Sequence, residues 1–167
     1  MDTFNEQIIK INNTPKTILL KILIWIAAVI GCGVLAYFIK IIGALAAVVA
    51  FLLFKGAVKL TGLLSIEYEY ILTNGELDVD KIIAQNSRKR LLTIDCSEIE
   101  ALGKYKSGMK LSGKLFMCCN EKDDAYYVVA RSKQNEQVCL VFAPGEKLKN
   151  GIKIFLPRFI QKGAFED

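Results

Sequence analysis

An α+β chain, with an N-terminal transmembrane helical hairpin followed by a β-roll or partly open barrel of about seven strands capped by a C-terminal helix, is predicted by three observations. Between Ile22 and Phe54 there is one charge, Lys40, in 33 residues. From Ile66 the pattern becomes alternating and is interrupted by turn signals, as in a series of short strands. Near the end, Leu148, Ile152 and Phe155 share one helical face between Pro144-Gly145 and Pro157.

Composition narrows the function classes. The apolar fraction is 53%, and the run just described accounts for most of the excess over an ordinary soluble chain. Residues 1–65 hold six lysines against two acidic side chains; the remainder holds sixteen basic against fifteen acidic. A nearly neutral globular part argues against nucleic-acid binding, where charge would gather in the soluble domain. Histidine is absent, which excludes Ser-His-Asp and Cys-His catalysis and any zinc motif that uses histidine. The five cysteines, Cys32, Cys96, Cys118, Cys119 and Cys139, show no C-x-x-C spacing. They read as reduced, mostly buried residues in a cytoplasmic setting. No cofactor and no metal is expected.

Residues 1–16 form a polar leader. Phe4, Ile8 and Ile11 suit a short helix lying at a membrane surface, and a frayed leader is the alternative. The leader is too long before the apolar region, and lacks the small-residue cleavage pattern, for a secretory signal. Residues 17–65 form the helical hairpin. A spanning helix needs roughly 20 residues, so the run accommodates two, about Thr17–Ile39 and Ile42–Leu64, with Lys40 marking the turn. The competing reading is one span followed by a buried apolar helix. Lys16, Lys21, Lys55 and Lys59 then reach one headgroup layer, and the positive-inside rule puts both termini in the cytoplasm, at the cell membrane. Small residues such as Ala27, Ala28, Ala46 and Ala47 permit close helix–helix approach.

Residues 66–160 form the β domain, with 161–167 as a tail. Ile66–Leu72 is a strand, Asn74-Gly75 a hairpin turn and Glu76–Ile83 its return, because both turn residues tolerate positive φ. A third strand, 88–95, carries Arg88 and Arg90 toward the acidic hairpin. Cys96–Ile99 reads as a one-turn link, 100–106 as a further strand, and 106–114 as a loop. Strands at 115–119, 125–131 and 137–142 and a helix at 146–155 complete the domain, with Pro157 ending or bending the helix.

These residues resemble a known family. Two apolar helices, then E-Y-E-Y-I-L-T-N-G-E-L-D-V-D-K-I and R-K-R-L-L-T-I-D-C-S-E-I-E, are similar to bacterial pleckstrin-homology-like (PH-like) membrane proteins. A Tyr-x-x-Thr strand (Tyr70 to Thr73) leads into a hairpin, a basic strand, and a link from Ile94 to Ile99. The ending V-F-A-P-G-E-K-L…L-P-R fits a bacterial family of the same layout. The resemblance implies a seven-strand roll with a C-terminal helix, and it brings neither an enzyme activity nor a ligand.

Four groups remain as candidate sites. Gly108 through Gly113-Lys114 has phosphate-loop spacing, but Leu115 stands where magnesium binding needs Ser or Thr, and no helix follows. Lys104, Lys106, Lys110 and Lys114 occur without an acidic residue between Ala101 and Asn120, so the loop either contacts anionic lipid or is simply solvated. Glu67, Glu69, Glu76, Asp78 and Asp80 gather carboxylates that suit acid/base chemistry or a cation, or else form a wet strand face neutralised by arginine. Tyr68, Tyr70, Tyr126 and Tyr127 read as sheet packing rather than a ligand cage. The expected function is a non-enzymatic, membrane-anchored interaction domain that binds a protein partner, a second copy of itself or the anionic inner leaflet. The alternatives are a small membrane-bound enzyme using the carboxylate hairpin and an accessory subunit of a membrane complex.

Overall fold

A computed structural model of the protein describes residues 3–38, 43, 45–120, 122–132 and 136–165. The chain divides into two units, which are taken separately. The helical unit spans Asn12–Ile66 and the turn Ile83–Ser87; the β unit takes Met1–Ile11, Glu67–Ile82 and Arg88–Asp167.

In the helical unit, α1 runs Pro15–Tyr37 and α2 runs Leu45–Leu63. Thr14 caps α1, its hydroxyl accepting from Thr17 N at 3.3 Å, and Pro15 occupies the first turn, where a missing N–H costs nothing. The two helices pack on each other, with Trp25 edge-on to Phe54 at 5.7 Å and Leu53 seated against Gly31. None of the residues of α1 is buried, whereas Ala46 and Ala57 of α2 are. Both helices are long and apolar enough to cross a membrane, with mean hydropathy 2.6 and 1.7. α2, the helix that the competing reading would bury, hides only Ala46 and Ala57. The Lys40 turn lies outside the described residues.

The β unit is a seven-stranded sheet in the order β1-β2-β3-β4-β6-β7-β5. Its strands are β1 Phe4–Lys10, β2 Ile66–Thr73, β3 Glu76–Ile83, β4 Ser87–Lys104, β5 Lys114–Met117, β6 Tyr126–Ser132 and β7 Gln137–Phe142. The leader, expected as an interfacial helix or a frayed end, is therefore a strand. It pairs antiparallel with β2, from Phe4 opposite Thr73 to Lys10 opposite Glu67. The Asn74-Gly75 turn forms as read, with φ of 48° and 92°. The expected link at Cys96–Ile99 is instead the bulged middle of one long strand, β4, whose register on β6 shifts between Ile94 and Ile99. β5 runs parallel to β7 at the far edge, Lys114 opposite Val138. Asn120, just past β5, donates to the Lys10 carbonyl at 3.1 Å and so draws the two sheet edges together.

The core is lined by Tyr70, Leu72, Leu77, Val79, Ile94, Val128, Leu140 and Phe142, and helix α3, Glu146–Phe155, closes it with Leu148 and Ile152. A Cβ on Gly151 would meet Leu72 at 2.7 Å and Asn5 at 2.8 Å, so a larger residue there would have to displace the ends of both side chains. A short helix, α4 Arg158–Gln161, follows Pro157. What was read as a tail is packed: Ala164 is buried and Phe165 lies edge-on to Tyr126 at 5.2 Å.

Candidate functional site

The acidic hairpin is an ion-pair network. Arg90, arriving on β4, reaches Asp78 at 2.7 Å through Nη1 and Asp80 at 2.5 Å through Nε, and Thr93 donates to Asp78. Arg88 reaches Glu69 at 3.0 Å, and Lys10 lies 3.8 Å from Glu67. The sequence reading of Arg88 and Arg90 as counter-charges is what the geometry contains. Glu69 is fully buried, and apart from the ion pair with Arg88 neither of its carboxyl oxygens accepts a well-formed hydrogen bond. Burial first, then the neighbouring Glu6 carboxyl, pushes the Glu69 carboxyl above its ordinary range, against the pull of Arg88. Among the described residues, no group of three or more acidic or cysteine side chains is arranged to hold a metal ion.

The cysteines are not poised as nucleophiles. All five are free, and burial pushes the Cys96 and Cys118 thiols up to about 12 and Cys119 to about 11. At neutral pH these three remain thiols, which are poor nucleophiles and poor metal ligands. Tyr70 is a packing residue: its hydroxyl donates to the Cys118 carbonyl and its ring lies edge-on to Phe142 at 5.5 Å. Tyr126 is also buried, while Tyr68 and Tyr127 are half-buried. No cage forms from the four, since Tyr126 meets Phe165 and Lys149 instead.

The basic segment is split. Lys104 pairs with Asp124 at 3.3 Å. Lys106 and Lys110 are exposed on the loop beyond β4, and Lys114 opens β5 with its ammonium 5.6 Å from the Phe116 ring. The loop and β5 also expose Met109, Leu115 and Met117, which the charge pattern alone did not single out. The phosphate-loop spacing at 108–114 leads into a strand, so no helix N-terminus faces it.

In the helical unit, Lys21 donates to Asn13 at 2.7 Å and to Ser65 at 3.1 Å, tying the entry of α1 to the exit of α2. Lys16 stands in the first turn of α1. Lys55 lies over the Phe51 ring at 5.7 Å, and among the described residues no carboxylate pairs with Lys55 or Lys59.

A family model described as a bacterial PH-like domain (DUF6106) matches residues 1–162. No curated protein and no solved structure matches the chain.

Proposed function

Since the chain belongs to this bacterial PH-like family of unknown function, we propose that it is a non-enzymatic, membrane-anchored interaction domain. The observation that carries the reading is the place of the helical hairpin. It is inserted between two hydrogen-bonded strands, with the paired residues Lys10 and Glu67 on either side of it. A segment that leaves and re-enters one sheet at the same end crosses a bilayer an even number of times. That place supports two spans with both termini on one side, and the lysine-rich ends (Lys16, Lys21, Lys55 and Lys59) favour the cytoplasm for that side by the positive-inside rule. The surface offered to a partner is the exposed basic and apolar segment with Lys106, Lys110, Lys114, Met109 and Leu115, which suits an anionic target at the inner leaflet. Two features speak against catalysis: Asp78 and Asp80 are committed to Arg90, and the buried cysteines are held as thiols.

The test is alkaline extraction of native membranes combined with protease protection of tags at each end. The chain is expected in the pellet, with both tags cut only when the cytoplasmic face is open. Release by alkali, or tags on opposite faces, would sink the reading. A second reading, an accessory subunit of a membrane complex, is favoured by a groove of about 410 Å³ between α1 and α2 whose walls include Ala27, Ala28, Gly56 and Ala57. Small residues on such a groove let another helix approach closely.

A further inference from the structure

The helical unit contains a second cavity, about 680 Å³, between the last turns of α2 and the β3–β4 turn. Lys55 and Lys59 line it from the helix, and Asn86 and Ser87 line it from the turn. Gly62 and Ala84 close its apolar wall, an added Gly62 Cβ lying 3.5 Å from the Ala84 methyl. The turn is fixed in place, since Ala84 N donates to the Ser65 carbonyl at 3.1 Å. It is also costly: Ala84 and Gln85 both adopt the left-handed conformation, with φ of 54° and 59°, although neither is glycine or asparagine.

We infer that this cavity binds one anionic glycerophospholipid, its phosphate between the Lys55 and Lys59 ammonium groups and its acyl chains along the apolar side chains of α2 that flank the two lysines, with Gly56 on one side and Val58 on the other. Chemistry on both sides of the cavity selects that ligand. The lysines lack carboxylate partners, Asn86 and Ser87 supply neutral donors for a polar headgroup, and the remaining wall is apolar. Lys59 is four residues from the end of α2 and Lys55 eight, about 6 Å and 12 Å along the axis, within snorkelling reach of a headgroup layer. The C-terminal end of a helix disfavours an anion, but its effect equals roughly half a charge against two full ammonium charges. A soluble phosphate ester would satisfy the lysines and leave the apolar wall unused.

The site rests on the membrane-anchored reading, and the experiment separates the two. Full-length protein in mild detergent is titrated with dioleoyl phosphatidylglycerol or dioleoyl phosphatidylcholine, and retained lipid is counted by native mass spectrometry. One phosphatidylglycerol is expected to be held about tenfold more tightly than phosphatidylcholine, the two lysines each contributing a few-fold. Lys55→Gln with Lys59→Gln should abolish the preference, and Lys16→Gln should leave it intact. Gly56→Leu, which keeps both charges but fills the wall, should weaken retention of the lipid; a Cβ at this position meets nothing within 4 Å. Equal retention of the two lipids, an equal loss in Lys16→Gln, or displacement by millimolar glycerol 3-phosphate would overturn the lipid assignment. A chain that resists alkaline extraction yet shows no preference overturns the site alone, whereas release by alkali overturns the anchoring.

Discussion

The two units carry similar apolar side chains in opposite ways. In the β unit Tyr70, Leu72 and Phe142 are wholly buried, and the polar residues around them are tied into ion pairs. In the helical unit Val29 is 67% exposed and Leu52 61%, and among the described residues no carboxylate pairs with Lys55 or Lys59. The first arrangement buries its apolar surface by folding in water. The second leaves its apolar surface uncovered on two helices long and apolar enough to cross a membrane, their backbone bonds closed internally. The comparison teaches that the β unit should fold without the helices, provided that it keeps all of its strands.

The largest effect therefore concerns β1. Deleting residues 1–11 removes the edge strand, and with it Gln7, which donates to the Ala143 carbonyl at 3.1 Å and accepts from Gly145 N at 2.7 Å. It also uncovers the sheet beside Tyr70 and Leu72. A 66–167 fragment, which lacks β1 as well as both helices, is expected not to fold, with loss of the β signal in circular dichroism. Replacing residues 12–65 by Asn-Gly instead joins Ile11 to Ile66 one step beyond the Lys10–Glu67 pair, in the register a two-residue turn requires. That chain should be soluble and cooperatively folded. A folded 66–167 fragment would show that β1 is dispensable and break the comparison.

The next two changes sharpen it with single residues, read by urea unfolding of the full chain in mild detergent. Trp25, the one tryptophan, reports the helical unit, and circular dichroism of the strands reports the other. Gly151→Ala forces a methyl into Leu72 and Asn5 and should cost the β unit about 1–3 kcal/mol. Gly33→Ala on α1 meets nothing within 4 Å and should leave both transitions in place. Arg90→Ala should cost about 2 kcal/mol, below the figure for a fully buried pair because the Arg90 side chain is 51% exposed. If both transitions move together under Gly151→Ala, the two units unfold as one.

Much of this was legible in the sequence, and the exceptions share a cause. The hairpin at Asn74-Gly75, strand β7 and helix α3 are local features whose residues state their own conformation. β1 was missed because, of its three inward residues, only Ile9 is apolar and two, Asn5 and Gln7, are polar. They face the core side to serve the β7–α3 connection and α3, leaving Phe4 and Ile8 on the outer side, where the spacing imitates a helix. Cys96–Ile99 imitated a turn because Asp95 accepts from the Ser97 backbone, a local bond that strands seldom make, while the chain stays in the sheet as a bulge. The lipid cavity could not be read at all. Lys55 and Lys59 were visible as headgroup lysines, but their polar partners come from a turn near residue 86 built on Ala84-Gln85, which carries no turn signature.

The smallest effect concerns Glu69, the wholly buried carboxylate of the β unit, whose ion pair with Arg88 leaves both of its oxygens without a well-formed hydrogen bond. Its carboxyl is raised by burial and then by Glu6, with Asp80 adding to the repulsion and Arg88 opposing it. The folded chain thus holds this proton more tightly than the unfolded chain. The stability it contributes is full below the ordinary carboxylate value and is lost as pH rises through the higher, folded value. Glu69→Gln keeps the shape, removes the buried charge and leaves Arg88, 61% exposed, in contact with solvent. At neutral pH it should stabilise the β unit by about 0.5 kcal/mol. It should also flatten the decline in stability as pH rises above the ordinary carboxylate range, measured by urea midpoints from pH 4 to 8. A loss of stability at pH 7 would mean that the Arg88 pairing outweighs desolvation.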